Sequence, residues 1–391
     1  MSEQKTTEIA EFDAIRPYED AEVRPCIDRL LADNEFIDTV LSFKFPSALR
    51  FAAPVLRGSV RSRLAREFAG VDSVAAFQLK MESYIQRIFD KTVTAFTSSG
   101  LENLDPTRAH LFISNHRDIA MDPAFVNWAL FKHGCTTLRI AIGDNLLTKP
   151  FASDLMRLNK SFIVKRSVTN RREKLQVAKT LSRYIHHSVL VDNENVWIAQ
   201  REGRAKDGLD ATNPAIVSML TMSRDKDTRL SDFVRDANII PVTVSYEYDP
   251  CDQLKANEIY IKKQHGDYQK QEHEDVASIA RGISGFKGKV HLSFGQRLSG
   301  EYESIEDIVS ELDQKINRNY VLHLSNCFAY EELEKKSPLV KIGAKGIEFT
   351  DHNWNHEREQ FVAHLASVPA RLREIVLKGY ANPVYRALSA Q

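Results

Sequence analysis

A histidine followed by carboxylates is the first place in this chain where chemistry can be built. The run FISNHRDIAMDPAF leaves an apolar, strand-like stretch and enters a helical one, which puts His116 in the turn between them, with Asp118 and Asp122 behind it. An imidazole backed by a carboxylate is a minimal device for activating a hydroxyl: the ring takes the proton, and the carboxylate orients the ring and stabilises the imidazolium. Structural roles fit the same residues. Asp122 precedes Pro123, the pattern of a helix N-cap followed by a proline in the first helical position. A lone histidine beside a strand end is commonly a hydrogen-bonded structural residue.

Two further groups leave strand ends. REGRAKDG (201–208) follows the apolar run NVWIAQ; Gly203 lets the backbone turn sharply between Glu202 and Arg204, and an arginine there can fork onto a phosphate or carboxylate. SFIVKRS ends a strand-like run with Lys165 and Arg166, two cations able to serve an anion site or simply to be solvated. A fourth run, IIPVTVSYE, carries Pro241 near its beginning, as expected at a strand start.

The elements that must position these residues follow from periodicity. From about Phe12 to Thr97 apolar residues recur at helical spacing. Within this region residues 42–68 mix Phe43, Phe45 and Phe51 with Lys44, Arg50, Arg57, Arg61, Arg63 and Arg66; such a stretch suits either an anionic membrane surface or a helix pair with a solvated basic face. Strand-like runs follow at 110–114, 138–143, 161–166, 195–200, 239–247, 258–263 and 290–295, with helical patterns between them. Strands separated by helices predict an α/β fold, a mostly parallel sheet covered by helices, with the active site at the carboxyl ends of the strands. Beyond Tyr302 helical periodicity returns. The expected organisation is an N-terminal helical region (1–100), an α/β domain (101–301) and a C-terminal helical region (302–391).

Taken in order, the blocks NHRDIAMDP, GDNLLTKPFASDLMRLNKSFIVKRS, REGRAKDG and IIPVTVSYE resemble those of the glycerolipid acyltransferase family, the glycerol-3-phosphate and 1-acylglycerol-3-phosphate (lysophosphatidic acid) acyltransferases, over about Leu111 to Glu247. The resemblance implies an acyl thioester donor, acyl-CoA or acyl carrier protein, and no cofactor. It implies an acceptor hydroxyl on a glycerol phosphate or lysophospholipid, deprotonated by His116 with Asp122 behind it. Arg204, with Lys165 and Arg166, would hold the anionic head group; Glu202 would orient Arg204 or the acceptor. Two departures stand out. Five residues separate His116 from Asp122 where the family has four, which makes Asp118 the fallback partner, and Arg204 follows Gly203 directly. These departures keep two alternatives open, acyl transfer to a non-glycerol lipid acceptor and a catalytically silent lipid-binding protein of the same fold.

Composition narrows the classes. Lys plus Arg equals Asp plus Glu at 53 each, so no global field favours nucleic acid. Cys26, Cys135, Cys251 and Cys327 are widely spaced and form no C-x-x-C pair, which fits a reducing cytoplasm. The polar start and the lack of an uninterrupted apolar run suggest a cytoplasmic protein, peripheral on the inner face of the membrane, that reaches lipid from the water side. His116-Arg117-Asp118 is followed by Pro123 where a kinase catalytic loop carries asparagine, and no D-F-G accompanies it. His352 and His356 lack an H-E-x-x-H frame, so no metal site is expected. His186 and His187 read as surface residues at a helix end.

Overall fold

The computed structural model describes residues 11–44, 49–271 and 274–390. In chain order its main elements are α1 (Asp20–Ala32), α2 (Asn34–Lys44), α3 (Leu49–Glu67), α4 (Val74–Thr92), β1 (Val93–Ser99), β2 (Leu111–Ser114), α5 (Met121–Lys132), β3 (Arg139–Gly143), α6 (Pro150–Leu158), β4 (Ser161–Val164), α7 (Arg171–Leu190) and β5 (Val196–Ala199). They continue with α8 (Pro214–Leu220), α9 (Leu230–Asp236), β6 (Ile239–Tyr246), α10 (Asp252–His265), α11 (Glu274–Ser284), β7 (Gly288–Phe294), α12 (Ile305–Arg318), α13 (Leu324–Glu334), β8 (Lys341–Ile342), β9 (Ile347–Glu348), α14 (Asn355–Ala366) and α15 (Ala370–Ser389). The chain divides into two compact units, Met1–Gln86 with Arg139–Tyr184, and Arg87–Leu138 with Ile185–Gln391.

In the first unit α1 buries Val23, Cys26, Ile27 and Leu30, one helical stripe, against Phe77 and Leu158. A reciprocal pair of bonds between Glu19 and Glu22 caps its start. β3 and β4 pair in parallel, Ile140 with Ser161 through Gly143 with Val164. The basic stretch at 42–68 is partly tied down: Arg57 forks onto Asp38, and Arg61 donates to the Leu31 carbonyl and to Asn34. The side chains of Phe43, Lys44, Phe45, Arg50 and Phe51 lie outside the described residues.

The second unit holds five strands in the order β1-β7-β6-β2-β5. Only the β6–β7 pair is antiparallel; the other neighbours run in parallel. Every residue of β2 and of β6 is buried, as strands covered on both faces require. The register sets Ser114 beside Ala199 and beside Val242, so the chain leaving β2 and the chain leaving β5 emerge side by side at the carboxyl edge. α5 is apolar nearly all round, with Phe125, Val126, Trp128 and Leu130 buried. Phe125 packs on Phe89 at 4.6 Å and on Tyr246 at 5.7 Å, which anchors the helix behind His116.

The mostly parallel α/β architecture with helical flanks is the one periodicity predicts, with three corrections. EIYIKK (258–263) is part of α10, not a strand: its Ile-Tyr-Ile alternation imitates period two, yet the buried positions Asp252, Lys255 and Ala256 follow helical spacing, and Gly266 ends the helix in the left-handed conformation at φ 82°. Residues 93–99, expected to be helical, form β1; its mostly exposed, Thr- and Ser-rich face gives no apolar alternation to read. Strands also recur after Tyr302, in the two-residue hairpin β8–β9. Among the described residues no helix is long and apolar enough to cross a membrane.

Candidate active site

His116 sits two residues beyond β2, where the backbone has left the ladder but is still held. Its carbonyl accepts the Ala205 N–H at 2.8 Å, tying it to the loop that follows β5. The preceding Asn115 is fully buried and bridges outward, donating to Asp210 and to the Val244 carbonyl and accepting the Val244 N–H at 2.7 Å. The turn is therefore positioned by β6 and by the loop that follows β5. The ring of His116 meets the Trp197 indole edge-on at 5.9 Å and keeps 12% of its side-chain surface open.

Nδ1 of His116 lies 2.9 Å from Oδ2 of Asp122, which has no exposure at all. The same oxygen accepts the Arg117 N–H at 2.6 Å and the Asp118 N–H at 2.9 Å, and Oδ1 accepts the Tyr246 hydroxyl at 2.6 Å. A carboxylate surrounded by donors is an acceptor, so the ring nitrogen facing it is the one that carries hydrogen. Nε2 is left with the lone pair, the arrangement a base requires. Burial first, then the field of Asp122, drives the Tyr246 phenol far above its ordinary range, so it stays a donor to that carboxylate.

Asp122 is not the N-cap that its place before Pro123 suggests. α5 begins at Met121, with Ala120 as the cap residue. Asp122 is thus inside the first turn, and its side chain folds back over the loop. The extra residue between His116 and Asp122 falls in the non-helical segment 117–120, where it does not rotate the carboxylate about the helix axis. Asp118 takes the capping contacts, with Oδ1 accepting from Ala120 and Met121. Its Oδ2 is buried with no protein partner. Burial, then repulsion from Asp122, raises the Asp118 carboxyl. Gly282 of α11 is required here, since a Cβ would stand 2.1 Å from that oxygen.

Several buried groups brace the turn that sequence reasoning did not single out. Arg117 donates to Asp210 at 2.6 Å and lies over the Tyr320 ring at 5.2 Å. Lys255 donates to the Arg117 carbonyl at 2.6 Å and pairs with Asp249. Burial alone would raise the Asp249 carboxyl, but Lys255 overrides it and holds it below the usual range. A cavity of about 40 Å³, with Arg117, Asp249, Lys255 and Tyr320 among its lining residues, is large enough for ordered water. Tyr246 and Asn115 had a sequence signal in their positions at a strand end; Asp210, Asp249 and Lys255 had none, being single charges in polar surroundings.

The loop after β5 carries the second predicted group. Gly203 has φ 71°, a conformation that favours glycine, and Glu202 and Gly203 are exposed. Arg204 is half-buried, with one terminal nitrogen fully buried and without a protein partner. An unpaired guanidinium N–H one residue from the Ala205–His116 bond is an available donor for an anion. The helix α15 presses on the same loop: Gly208, at φ 78°, lies against Gly379, where a Cβ would stand 2.0 Å from its carbonyl oxygen. Asn382 donates to the Asp207 carbonyl and Arg386 to that of Asp210.

His116, Asp122, Glu202, Gly203 and Arg204 thus belong to one unit. Lys165 and Arg166 belong to the other, exposed just past β4, where the Arg166 N–H donates to Asp144 at 2.9 Å. Among the described residues no group of three or more His, Cys, Asp or Glu side chains could hold a metal ion.

Residues 95–245 match the model of the family described as Acyltransferase. No curated protein matches the chain. Among solved structures, it is similar to the 1-acyl-sn-glycerophosphate (LPA) acyltransferase PlsC from Thermotoga maritima, at 12% identity and a TM-score of 0.33, over 73% of this chain and 94% of that one. The matched stretch contains His116, Asp122, Arg204 and nearly all of the four blocks, so over residues 95–245 the chain is similar to acyltransferases.

Proposed function

We propose that the protein transfers a fatty acyl group from a thioester, acyl-CoA or acyl carrier protein, to the hydroxyl of a glycerol phosphate or lysophospholipid acceptor, working peripherally at the cytoplasmic face of a membrane. The observation that carries this reading is His116 held through Nδ1 by a fully buried Asp122. Nε2 takes the acceptor proton as the hydroxyl oxygen attacks the thioester carbonyl; the proton then leaves with the departing thiolate, and the ester and free thiol are the products. Asp122, bonded to two backbone N–H groups and Tyr246, orients the ring and stabilises the imidazolium. Arg204 holds the acceptor's phosphate, with Glu202 orienting the guanidinium.

The test is thiol release from acyl-CoA and from acyl carrier protein, with and without candidate acceptors. Acceptor-dependent release that falls by about 10²–10⁴ in His116→Ala, with an unchanged thermal transition, is the expected outcome. Ordinary turnover in a folded His116→Ala protein would sink the mechanism. Release triggered only by an acceptor lacking glycerol would move the substrate class to other lipid alcohols.

A further inference from the structure

A second histidine in the same unit repeats the arrangement at His116 and faces a larger opening. His364, on α14, places Nε2 2.6 Å from Oδ2 of Asp252, a residue only 7% exposed. The same carboxylate oxygen accepts the Tyr380 hydroxyl at 3.1 Å. Tyr380 also accepts the Asp249 N–H at 2.9 Å. With Nε2 committed, Nδ1 of His364 has no protein partner among the described residues.

This ring borders a cleft of about 650 Å³ formed by the loop after β6, the end of α11 and α14. That volume lies within the range of small-ligand sites, about 300–1,000 Å³. One side is apolar: Tyr248 and Phe286 pack at 5.7 Å, Pro250 and Ala363 extend the wall, and Tyr248 meets His364 edge-on at 5.3 Å. Phe286 is 53% exposed, so about half of that ring is open to an apolar ligand. The other side carries Arg281, beside the Asp249 and Asp252 carboxylates, which are engaged by Lys255 and by His364 and Tyr380 respectively. Arg281 is held by one bond, Nε to the Pro250 carbonyl at 2.6 Å. Its terminal nitrogens are in no ion pair among the described residues, which leaves them to fork onto an anion.

We infer that this cleft binds a single-chain anionic amphiphile, with the head group on Arg281 and the acyl chain along Tyr248 and Phe286. The pairing of one free guanidinium with an aromatic wall suits that chemistry: a small polar anion would leave the wall wet, and a neutral lipid would leave the guanidinium without a counter-charge. A long-chain carboxylate and a lysophosphatidate share it. The site lies outside the matched acyltransferase stretch, on residues 248–286 and 360–364, and its occupancy does not depend on the function proposed for His116.

Calorimetric titration of the full chain with laurate, myristate and monomeric lysophosphatidate, below their micelle concentrations, tests it. Affinity should rise by as much as about fourfold per added methylene. It should fall by roughly ten- to a hundredfold in Arg281→Gln, and measurably in Phe286→Ala, a surface change that spares the fold even if His364→Ala does not. His116→Ala should bind as the unmodified protein does. The relative affinities for carboxylate and phosphate name the source. Binding unaffected by both Arg281→Gln and Phe286→Ala, or abolished by His116→Ala, would overturn the assignment.

Discussion

Two imidazoles in one unit rest on buried carboxylates that also bind a tyrosine hydroxyl, yet they are built from different parts. At His116 ring and carboxylate come from one turn, between β2 and α5, and the carboxylate takes two backbone N–H groups besides the phenol. At His364 ring and carboxylate come from α14 and α10, 112 residues apart in the chain. The first pair is fixed locally, by the backbone that carries it. The second exists only once remote helices have docked. Local construction suits a group that must hold one position through a reaction; remote construction suits one whose environment is set by what fills the adjoining cleft.

The comparison breaks most sharply at the carboxylates. Asp122→Asn keeps the shape but gives up the charge that stabilises the imidazolium, and turnover should fall by roughly 10²–10⁴. Asp252→Asn should lower stability without a comparable loss of turnover. Steady-state kinetics beside thermal melts decide it; equal kinetic losses would mean that the two clusters work as one.

How far each cluster was legible in the sequence follows the same division. His116, Asp118 and Asp122 lie within seven residues, so one motif displays them, and Gly203 and Arg204 follow a readable strand. Asp252 and His364 carry no motif, because their proximity is a tertiary fact. The sheet was legible wherever strands were buried on both faces, as in β2 and β6. It was lost at β1, whose exposed polar residues have no period, and α10 was misread because three alternating apolar residues mimic a strand.

A smaller effect separates these paired rings from histidines with no carboxylate bonded to the ring. His186, stacked on Phe233 at 4.1 Å, and His291 and His323 are each pushed down by burial to about 4 from 6.5. The half-buried stacking of His186 on Phe233 departs from the surface role expected at a helix end. In each case the unfolded chain binds the proton more readily, so the native state has its full stability above about pH 6.5 and loses it as pH falls towards 4. Each contributes on the order of 1–3 kcal/mol to that loss. Denaturant melts across this window should show steep weakening, eased in His291→Asn; a flat profile would contradict the burial argument.

Smallest of all is the contrast between the phenols. Tyr246→Phe removes a 2.6 Å bond to a fully buried carboxylate and should cost about 1.5–3 kcal/mol, with a modest drop in turnover. Tyr380→Phe removes a longer bond at 3.1 Å and the oxygen that accepts the Asp249 N–H at 2.9 Å, neither of them to a fully buried carboxylate, and should cost somewhat less, about 1–2 kcal/mol. Urea titrations of the two variants sharpen the ranking, and a larger loss at Tyr380 would reverse it.

Order of synthesis gives the grip of α15 a temporal meaning. The loop carrying Arg204 is translated far ahead of the helix that clamps residues 207–210 through Gly379, Asn382 and Arg386. A nascent chain that has emerged only as far as the sheet owns its imidazole but lacks the brace on the loop that carries Arg204. Until residues beyond 379 are released, the loop lacks its bonds from Asn382 and Arg386 and its close contact with Gly379.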